Sequence, residues 1–252
     1  MEEFTAQIIA IFLISLRIAP TFAFAPPFTL LRIPAIIRVL LGLSLAAWLV
    51  LANPEQTYLR DITYDNLALI AFGEIIIGTT LMLTLQWMSA AILMIGRSID
   101  IQTGFGLALL IDPTTRSQRP LIGTIFAYAA GAVFFSLEAP MDLLAIWAES
   151  IRQIPLGSPL IEPNIPLLLS FISTVFVIAT GLAGIILLTL FLIDLTVAFL
   201  SRTLPQMNVL LIGFQVKTLA VLATLPLAIA YSTAAYIRLV RVSIETIPEL
   251  AW

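Results

Sequence analysis

The chain has 252 residues, of which 60% are hydrophobic and 11% are charged, whereas a soluble domain carries about 25% charged residues. Its net charge of −3 argues against a nucleic-acid-binding surface, and it contains no cysteine and no histidine. Disulfides and thiolate metal sites are thereby excluded, and the commonest general base is missing. Several apolar runs exceed the ~18 residues that suggest a membrane span. The composition predicts a polytopic membrane protein, for which we expect an all-α fold and no cofactor.

The first apolar run extends from Ile8 to Phe28 and contains three prolines. Because a proline inside a helix removes a hydrogen bond, a helix is predicted to about Ala19, followed by a proline-rich turn. A second span is predicted from Ala35 to Leu51, ended by Asn53-Pro54. The N-terminal MEEFTAQ is acidic and lacks a small-residue cleavage site, so no signal peptide is expected.

The sequence pattern predicts two further helices in the middle of the chain. A long one runs from Leu67 to Ile95 and carries Glu74, and a fourth span runs from Leu121 to Leu137. On the latter, small residues recur every four positions, at Gly123, Ala127 and Gly131. Small residues at this spacing let membrane helices approach closely, although a chance pattern in a Gly/Ala-rich helix is an equal alternative.

The second half predicts a short amphipathic helix from Met141 to Ile151, followed by a proline-rich loop. The run from Pro163 to Ile193 contains no charge and is too long for one span across a ~30 Å hydrocarbon core. It either tilts, bends near Gly181 and Gly184, or extends beyond the bilayer in a larger assembly. A last span is predicted from Val209 to Tyr236, capped by Arg238 and Arg241. With six spans these arginines fall on the disfavoured side, which leaves open that one predicted span does not cross.

The stretch from Gly96 to Pro120 is the candidate functional element, because it is polar at both ends and apolar between Gly104 and Ile111. Irregular backbone at membrane depth is tolerated only where it is buried in protein or lines a cavity. A plug or re-entrant loop is therefore predicted, with an ordinary flexible turn as the alternative. The predicted plug residues are Gly104, Phe105, Gly106, Leu107, Leu109, Leu110 and Ile111.

Charged residues within or beside the apolar tracts are costly in a membrane and mark functional candidates. Structural ion pairs between helices or subunits are favoured over a proton relay, and Arg97 and Asp100 are spaced to pair on one helix face. The candidates are Arg17, Glu74, Arg97, Asp100, Asp194 and Arg202.

The segment from Ser201 to Lys217 reads SRTLPQMNVLLIGFQVK and predicts a polar elbow between two apolar helices. Its motif resembles the hallmark of the FliR family of flagellar export-gate proteins and of their injectisome relatives, the SctT proteins. The central GRSIDIQTGFGLALLIDP, the tract IRQIPLG and the N-terminal RIAPTFAFAPPFTLLRIPAIIRV are also similar to that family. Two departures are Gln215, where a proline is expected, and Glu138-Ala139-Pro140, which replaces a more polar turn. The motif residues are Arg202, Pro205, Gln206, Asn208, Gly213 and Lys217.

The resemblance implies one membrane domain over residues 1–252, with a central plug segment at 96–120 and the elbow at 201–217. It implies long kinked helices and helical hairpins in a hetero-oligomeric gate of the bacterial inner membrane and flagellar basal body. The implied role is non-enzymatic: together with FliP-like and FliQ-like subunits the chain forms the pore for unfolded export substrates, and it binds an FlhB-like protein.

One alternative from the family and two from the residues stay open. The PQMNV and IGF sequences favour the flagellar over the injectisome branch. A small-molecule or ion transporter would use Glu74, Asp100 and Asp194, but the paired broken helices of such transporters are not evident in the two halves. A membrane enzyme is disfavoured by the absence of histidine and cysteine.

Overall fold

The computed structural model describes residues 2–26, 28–29, 33–57, 64–105, 120–158, 164–203 and 209–251. Within these ranges the chain forms ten α-helices and no β-strand, which confirms the all-α prediction. The helices are α1 (Glu2–Phe24), α2 (Ala35–Ala52), α3 (Pro54–Thr57), α4 (Tyr64–Thr103), α5 (Leu121–Ser136), α6 (Ala139–Gln153), α7 (Ile165–Leu182), α8 (Gly184–Thr203), α9 (Val209–Tyr231) and α10 (Thr233–Ala251).

Six of the described helices are long and apolar enough to cross a membrane, which confirms a multi-pass membrane protein. These are α1, α2, α4, α7, α8 and α9. The apolar part of α4 has 38 residues, and at ~1.5 Å per residue it is much longer than a ~30 Å hydrocarbon core. The helices α5 and α6 form a pair bent by 68°, which is either a broken span or a re-entrant loop.

The predicted end of the first helix near Ala19 is wrong, because α1 continues to Phe24 with Pro20 inside it. Pro20 has no N–H for the carbonyl of Leu16, four residues earlier. The backbone of α4 packs against this carbonyl at Gly78, where an added Cβ would lie 2.8 Å from the Leu16 oxygen. Tertiary packing of α4 on α1 thus holds the helix together where its own hydrogen-bond ladder is interrupted.

The predicted last span from Val209 to Tyr236 is also wrong at its end. The helix α9 stops at Tyr231, a turn follows at Ser232, and α10 begins at Thr233. Ser232 Oγ donates to the Leu182 carbonyl at 3.1 Å, so a contact distant in sequence fixes this turn. Because a separate helix begins at Thr233, Arg238 and Arg241 belong to the amphipathic α10 and do not cap a span. Both side chains lie on its exposed face.

Other predicted bounds agree with the structure. The helix α2 matches the second predicted span, and α6 contains the predicted amphipathic helix. The long charge-free run is divided into α7 and α8 at Ala183, between the two glycines where a bend was one of the three alternatives. The helix α5 matches the predicted fourth span in its bounds, but with 16 residues it is not among the six helices that could cross alone.

The chain divides into two compact units. The first comprises Met1–Trp87, Phe134–Ser173 and Arg241–Trp252. In it α1 packs against α2, where Gly42 faces Ala19, and the rings of Phe22, Phe28 and Trp147 form a cluster with centroid separations of 4.9 and 5.4 Å. The apolar core of this unit therefore lies around α1.

The second unit comprises Met88–Val133 and Thr174–Val240. In it the C-terminal part of α4 packs against α5, and α8 and α9 form a hairpin. The ring of Tyr236 lies edge-on to Phe126 with centroids 6.4 Å apart. This unit contains the described ends of the central segment.

Candidate functional site

A buried ion pair joins α1 to α4 in the first unit. Arg17 Nε donates to Glu74 Oε2 at 2.6 Å and Arg17 Nη2 donates to Glu74 Oε1 at 2.9 Å, so the pair is bidentate. Arg17 Nη1 donates to the Ser150 carbonyl at 2.9 Å and to Ser150 Oγ at 3.2 Å, and Nη2 also reaches the Ile154 carbonyl at 3.0 Å. All five N–H groups of the guanidinium therefore have an acceptor.

Through its side chain, Arg17 connects α1 to α4 and to the C-terminal end of α6. Arg17 is 0% and Glu74 is 3% exposed, so water does not screen the pair. Both carboxylate oxygens accept from a guanidinium, which stays protonated in proteins. The geometry therefore supports a structural ion pair over a proton relay at these two residues.

The helices α1 and α4 approach each other closely beside this ion pair. Gly78 lies one helical turn after Glu74 on α4, and a Cβ added there would lie 2.5 Å from the Arg17 carbonyl oxygen. A larger residue would push α4 away from α1 and lengthen the ion pair. Gly78 is a position that the sequence pattern did not single out.

In the second unit, Asp100 connects the two sides of the central segment. Asp100 lies in the last turn of α4 and is 5% exposed, and its Oδ1 accepts from the backbone N–H of Ile122 at 3.2 Å. Ile122 lies in the first turn of α5, where backbone N–H groups lack helical partners. A carboxylate from α4 thus caps the helix that follows the central segment. Arg97 lies one turn earlier on α4 and is exposed.

A glycine contact holds the same two helices at short distance. A Cβ added to Gly96 would lie 2.0 Å from the Cα of Gly123, and one added to Gly123 would lie 3.1 Å from the Leu93 carbonyl oxygen. Neither position tolerates a side chain without backbone movement. Gly123 belongs to the predicted small-residue face, and the two other members of that face, Ala127 and Gly131, are also buried.

A third contact ties the end of α4 to α9. Thr218 Oγ1 donates to the carbonyl of Thr103 at 3.2 Å. Directly afterwards Gly104 adopts φ 83°, a conformation that glycine adopts easily and that ends the helix. We call the Asp100–Ile122, Gly96–Gly123 and Thr103–Thr218 contacts together the stem. The stem fixes both ends of the segment between Gly104 and Pro120.

Most of the predicted plug lies outside the described residues. Gly104 and Phe105 form a half-buried turn after α4. Gly106, Leu107, Leu109, Leu110 and Ile111 fall within residues 106–119, which the structure does not describe. The plug assignment therefore remains a prediction, to which the structure adds the stem.

The hairpin of α8 and α9 carries a second interhelical ion pair. Lys217 Nζ contacts Asp194 Oδ1, and the side chains are 14% and 48% exposed. Gly213 is buried next to Val197 on α8, whereas Arg202 is exposed in the last turn of α8. Of the predicted elbow, Pro205, Gln206 and Asn208 lie outside the described residues. The resemblance grouped Lys217 with the elbow motif but did not indicate its pairing with Asp194.

Comparison with known proteins identifies the family. Residues 8–242 match the family described as bacterial export proteins, family 1. The chain belongs to this family. It is 31% identical to the flagellar biosynthetic protein FliR of Bacillus subtilis over 215 residues, which cover 82% of this chain and 81% of that protein. It is 28% identical to FliR of Aquifex aeolicus over 231 residues, with coverages of 90% and 88%.

A translocation protein of Yersinia is also similar. The Yop proteins translocation protein T of Yersinia pestis is 28% identical over 178 residues, which cover 69% of this chain and 68% of that protein. The resemblance to the FliR/SctT export-gate family is thus confirmed over most of the chain. Six membrane-length helices and this family together describe a multi-pass component of a bacterial type III export apparatus.

Proposed function

We propose that the protein is a subunit of the flagellar type III export gate in the bacterial inner membrane, where its single domain forms part of the protein-conducting pore. Its partners in this proposal are FliP-like and FliQ-like subunits and an FlhB-like protein, and unfolded flagellar subunits are the cargo. The role is structural and not enzymatic. The flagellar branch is favoured because FliR of Bacillus subtilis is 31% identical over 82% of the chain, whereas the Yersinia protein is 28% identical over 69%.

Exposed polar groups on membrane-length helices support assembly with neighbouring subunits. Asp194 lies near the middle of α8 and is 48% exposed, surrounded by large exposed apolar side chains such as Phe191 and Leu195. A charged side chain at the centre of a bilayer costs about 2.5–3.5 kcal/mol on insertion scales. Lys217 pairs with one oxygen of this carboxylate, and the part that stays exposed is better placed against another protein chain or a water-filled pore than against lipid.

The stem is the single observation that carries the plug proposal. A plug must be anchored at its ends so that the segment between them can seal the pore and still be displaced by cargo. Asp100 and Thr103 anchor the N-terminal end, and Pro120 to Gly123 form the C-terminal end. Between these anchors the sequence supplies two glycines and an apolar run, which suits a seal that closes by excluding water.

A transporter is the main competing function, and the site chemistry favours it less. Coupled transport needs carboxylates that can exchange protons or ions. Glu74 is held at both oxygens by Arg17, and Asp100 accepts a backbone hydrogen bond at a helix end. Both carboxylates therefore have structural partners, and the family shown by the comparisons is one of export proteins.

A deletion of the gene in its native bacterium tests the proposed function. We expect loss of swimming and of secreted flagellin, with uptake of sugars, amino acids and potassium unchanged. Reintroduced wild-type protein should restore both properties. Normal flagellin secretion in the deletion strain, or loss of an effector-protein secretion system with motility intact, would contradict the flagellar assignment.

A further inference from the structure

An apolar pocket of about 320 Å³ lies in the first unit, on the face that α2 shares with α6. Its volume falls within the ~300–1,000 Å³ range of small-molecule sites. Leu41 and Trp48 of α2 are 43% and 59% exposed, so the pocket is open towards the surroundings of the helix. It is lined mainly by Phe22, Phe28, Leu41, Leu45, Trp48 and Trp147.

A cationic side chain, Arg38, lies next to residues that line this pocket, without being part of the lining itself. Arg38 precedes Leu41 by three residues and Leu45 by seven, so it shares their side of α2. Its Nη1 donates to the carbonyl of Ala23, the residue after the pocket-lining Phe22. Its Nε is buried and has no acceptor among the residues that the structure describes. Arg38 thus lies next to residues that line the pocket on both α1 and α2, where its positive charge suits an anionic ligand.

The spacing along α2 fits one leaflet of a bilayer. Arg38 lies in the first turn of α2, where a membrane-spanning helix reaches the headgroup region. Trp48 lies ten residues further on, which corresponds to about 15 Å along the helix. This length is half of the ~30 Å hydrocarbon core and therefore matches one acyl chain running from the headgroups towards the midplane.

We propose that this pocket binds an anionic phospholipid, with one acyl chain lying along Leu41 to Trp48 and the phosphate accepting hydrogen bonds from Arg38. The guanidinium matches phosphate in charge and in donor geometry. The aromatic and aliphatic lining matches the acyl chain, and a polar ligand would find few partners in it. Arg38 is the only charged residue between Ala35 and Ala52, so the predicted headgroup preference depends on this side chain.

Quenching of tryptophan fluorescence by brominated lipid tests the proposal, because Trp48 and Trp147 line the pocket. The full chain carries two further tryptophans, which would be replaced by Trp87→Phe and Trp252→Phe. In nanodiscs of phosphatidylcholine, dibrominated phosphatidylglycerol should quench at roughly fivefold lower mole fraction than dibrominated phosphatidylcholine, as expected for one cation at the lipid headgroup. Equal quenching by the two lipids would overturn the proposal.

Variants separate the headgroup contact from the pocket itself. Arg38→Gln should abolish the preference for phosphatidylglycerol, whereas Arg38→Lys should keep part of it. Ser44→Phe narrows the pocket and should weaken quenching by both lipids. Arg152→Gln removes an exposed cation at the end of α6 in the same unit and should change nothing. An unchanged preference in Arg38→Gln would contradict the role of Arg38.

A photoreactive amino acid at Ser44 identifies the occupant in the native membrane. We expect crosslinks to phospholipid, found as a lipid-sized mass increase of the chain. Crosslinks to another protein instead would mean that a partner's side chains fill the pocket, and would overturn the lipid assignment. Restored motility of the strain that carries the photoreactive residue would show that this variant folds and assembles.

Discussion

Arg17 and Glu74, 57 residues apart in the sequence, form a fully buried bidentate ion pair with a shortest N–O distance of 2.6 Å. The pair shows why an apolar chain retains charges inside its helices. Arg17 contacts α1's neighbours on two sides, at Glu74 of α4 and at Ser150 and Ile154 at the end of α6. A methionine or leucine at position 17 could fill the volume but could not satisfy those carbonyl groups.

Removing one partner of this pair should be strongly destabilising. Glu74→Ala leaves a buried guanidinium without its counter-charge, and we expect a loss of about 3–5 kcal/mol in the free energy of unfolding. The midpoint of thermal unfolding, measured by scattering or tryptophan fluorescence in detergent, checks this. Glu245→Ala is the matched control, since it breaks an ion pair to Arg241 that is 65% and 67% exposed and should cost no more than about 1 kcal/mol. Equal effects of the two substitutions would refute the structural role of the buried pair.

Gly96→Ala should separate α4 from α5 at the base of the central segment. The new Cβ would meet the Cα of Gly123 at 2.0 Å, a contact that only a backbone shift can relieve. We expect a loss of about 1–3 kcal/mol, as in overpacked cores, and a lower unfolding temperature. Gly181→Ala is the control, because no atom lies within 4 Å of an added Cβ there, and it should be neutral or stabilising. A neutral Gly96→Ala would show that the two helices do not pack this closely.

Asp100→Ala should loosen the stem without unfolding the protein. It removes the acceptor for the Ile122 N–H, and the loss of a helix cap costs about 0.5–2 kcal/mol. We expect faster protease cleavage between residues 104 and 120, measured by mass spectrometry of the fragments. Asp100→Asn keeps an acceptor oxygen and should lie between Asp100→Ala and wild type. Asp142→Ala, an exposed acidic residue in the first turn of α6, should leave the cleavage rate as in wild type.

The Asp194–Lys217 pair predicts different effects on membrane insertion and on assembly. Lys217→Met leaves Asp194 unpaired in an apolar hairpin, so the yield of inserted protein should fall. The double variant Asp194→Leu/Lys217→Met should restore insertion. The double variant should still fail to assemble with FliP-like and FliQ-like proteins on co-expression, because it lacks the exposed carboxylate that would contact a neighbouring subunit. Thr196→Val on the same helix is the control. If the double variant assembled as well as the wild type, the surface of α8 around Asp194 would not be an interface with another subunit.

The sequence predicted those parts of the fold that depend on local apolar patterns. The helices α2 and α6 and the helix break at Ala183 follow from hydrophobic runs and nearby glycines or prolines. The predictions failed where a contact distant in sequence decides the local structure. Pro20 is tolerated because α4 packs against α1 at Gly78, and α9 ends at Tyr231 because Ser232 bonds to Leu182. No local pattern contains either contact.

The candidate site was predicted in part for the same reason. Charged residues in apolar runs were recognised as ion-pair candidates, but the partners of Arg17 and Asp194 depend on which helices meet. The spacing placed Arg97 beside Asp100, but it could not show the hydrogen bond that Asp100 accepts from Ile122 across the central segment. Gly96 was seen only as the start of that segment, since its contact with Gly123 requires the packing of α4 on α5.

The conductance of the purified gate in planar bilayers tests the central claim most directly. The gate containing a chain that lacks residues 104–111 would be compared with the wild-type gate and with a gate carrying Thr196→Val. The deleted chain should assemble normally, because the helices α4 and α5 and their contact at Gly96 remain. If this segment seals the pore, the gate that lacks it should conduct small ions continuously at low voltage. Both comparison gates should stay closed. A deletion gate that assembles and remains as closed as the wild type would contradict the assignment of this segment as the plug.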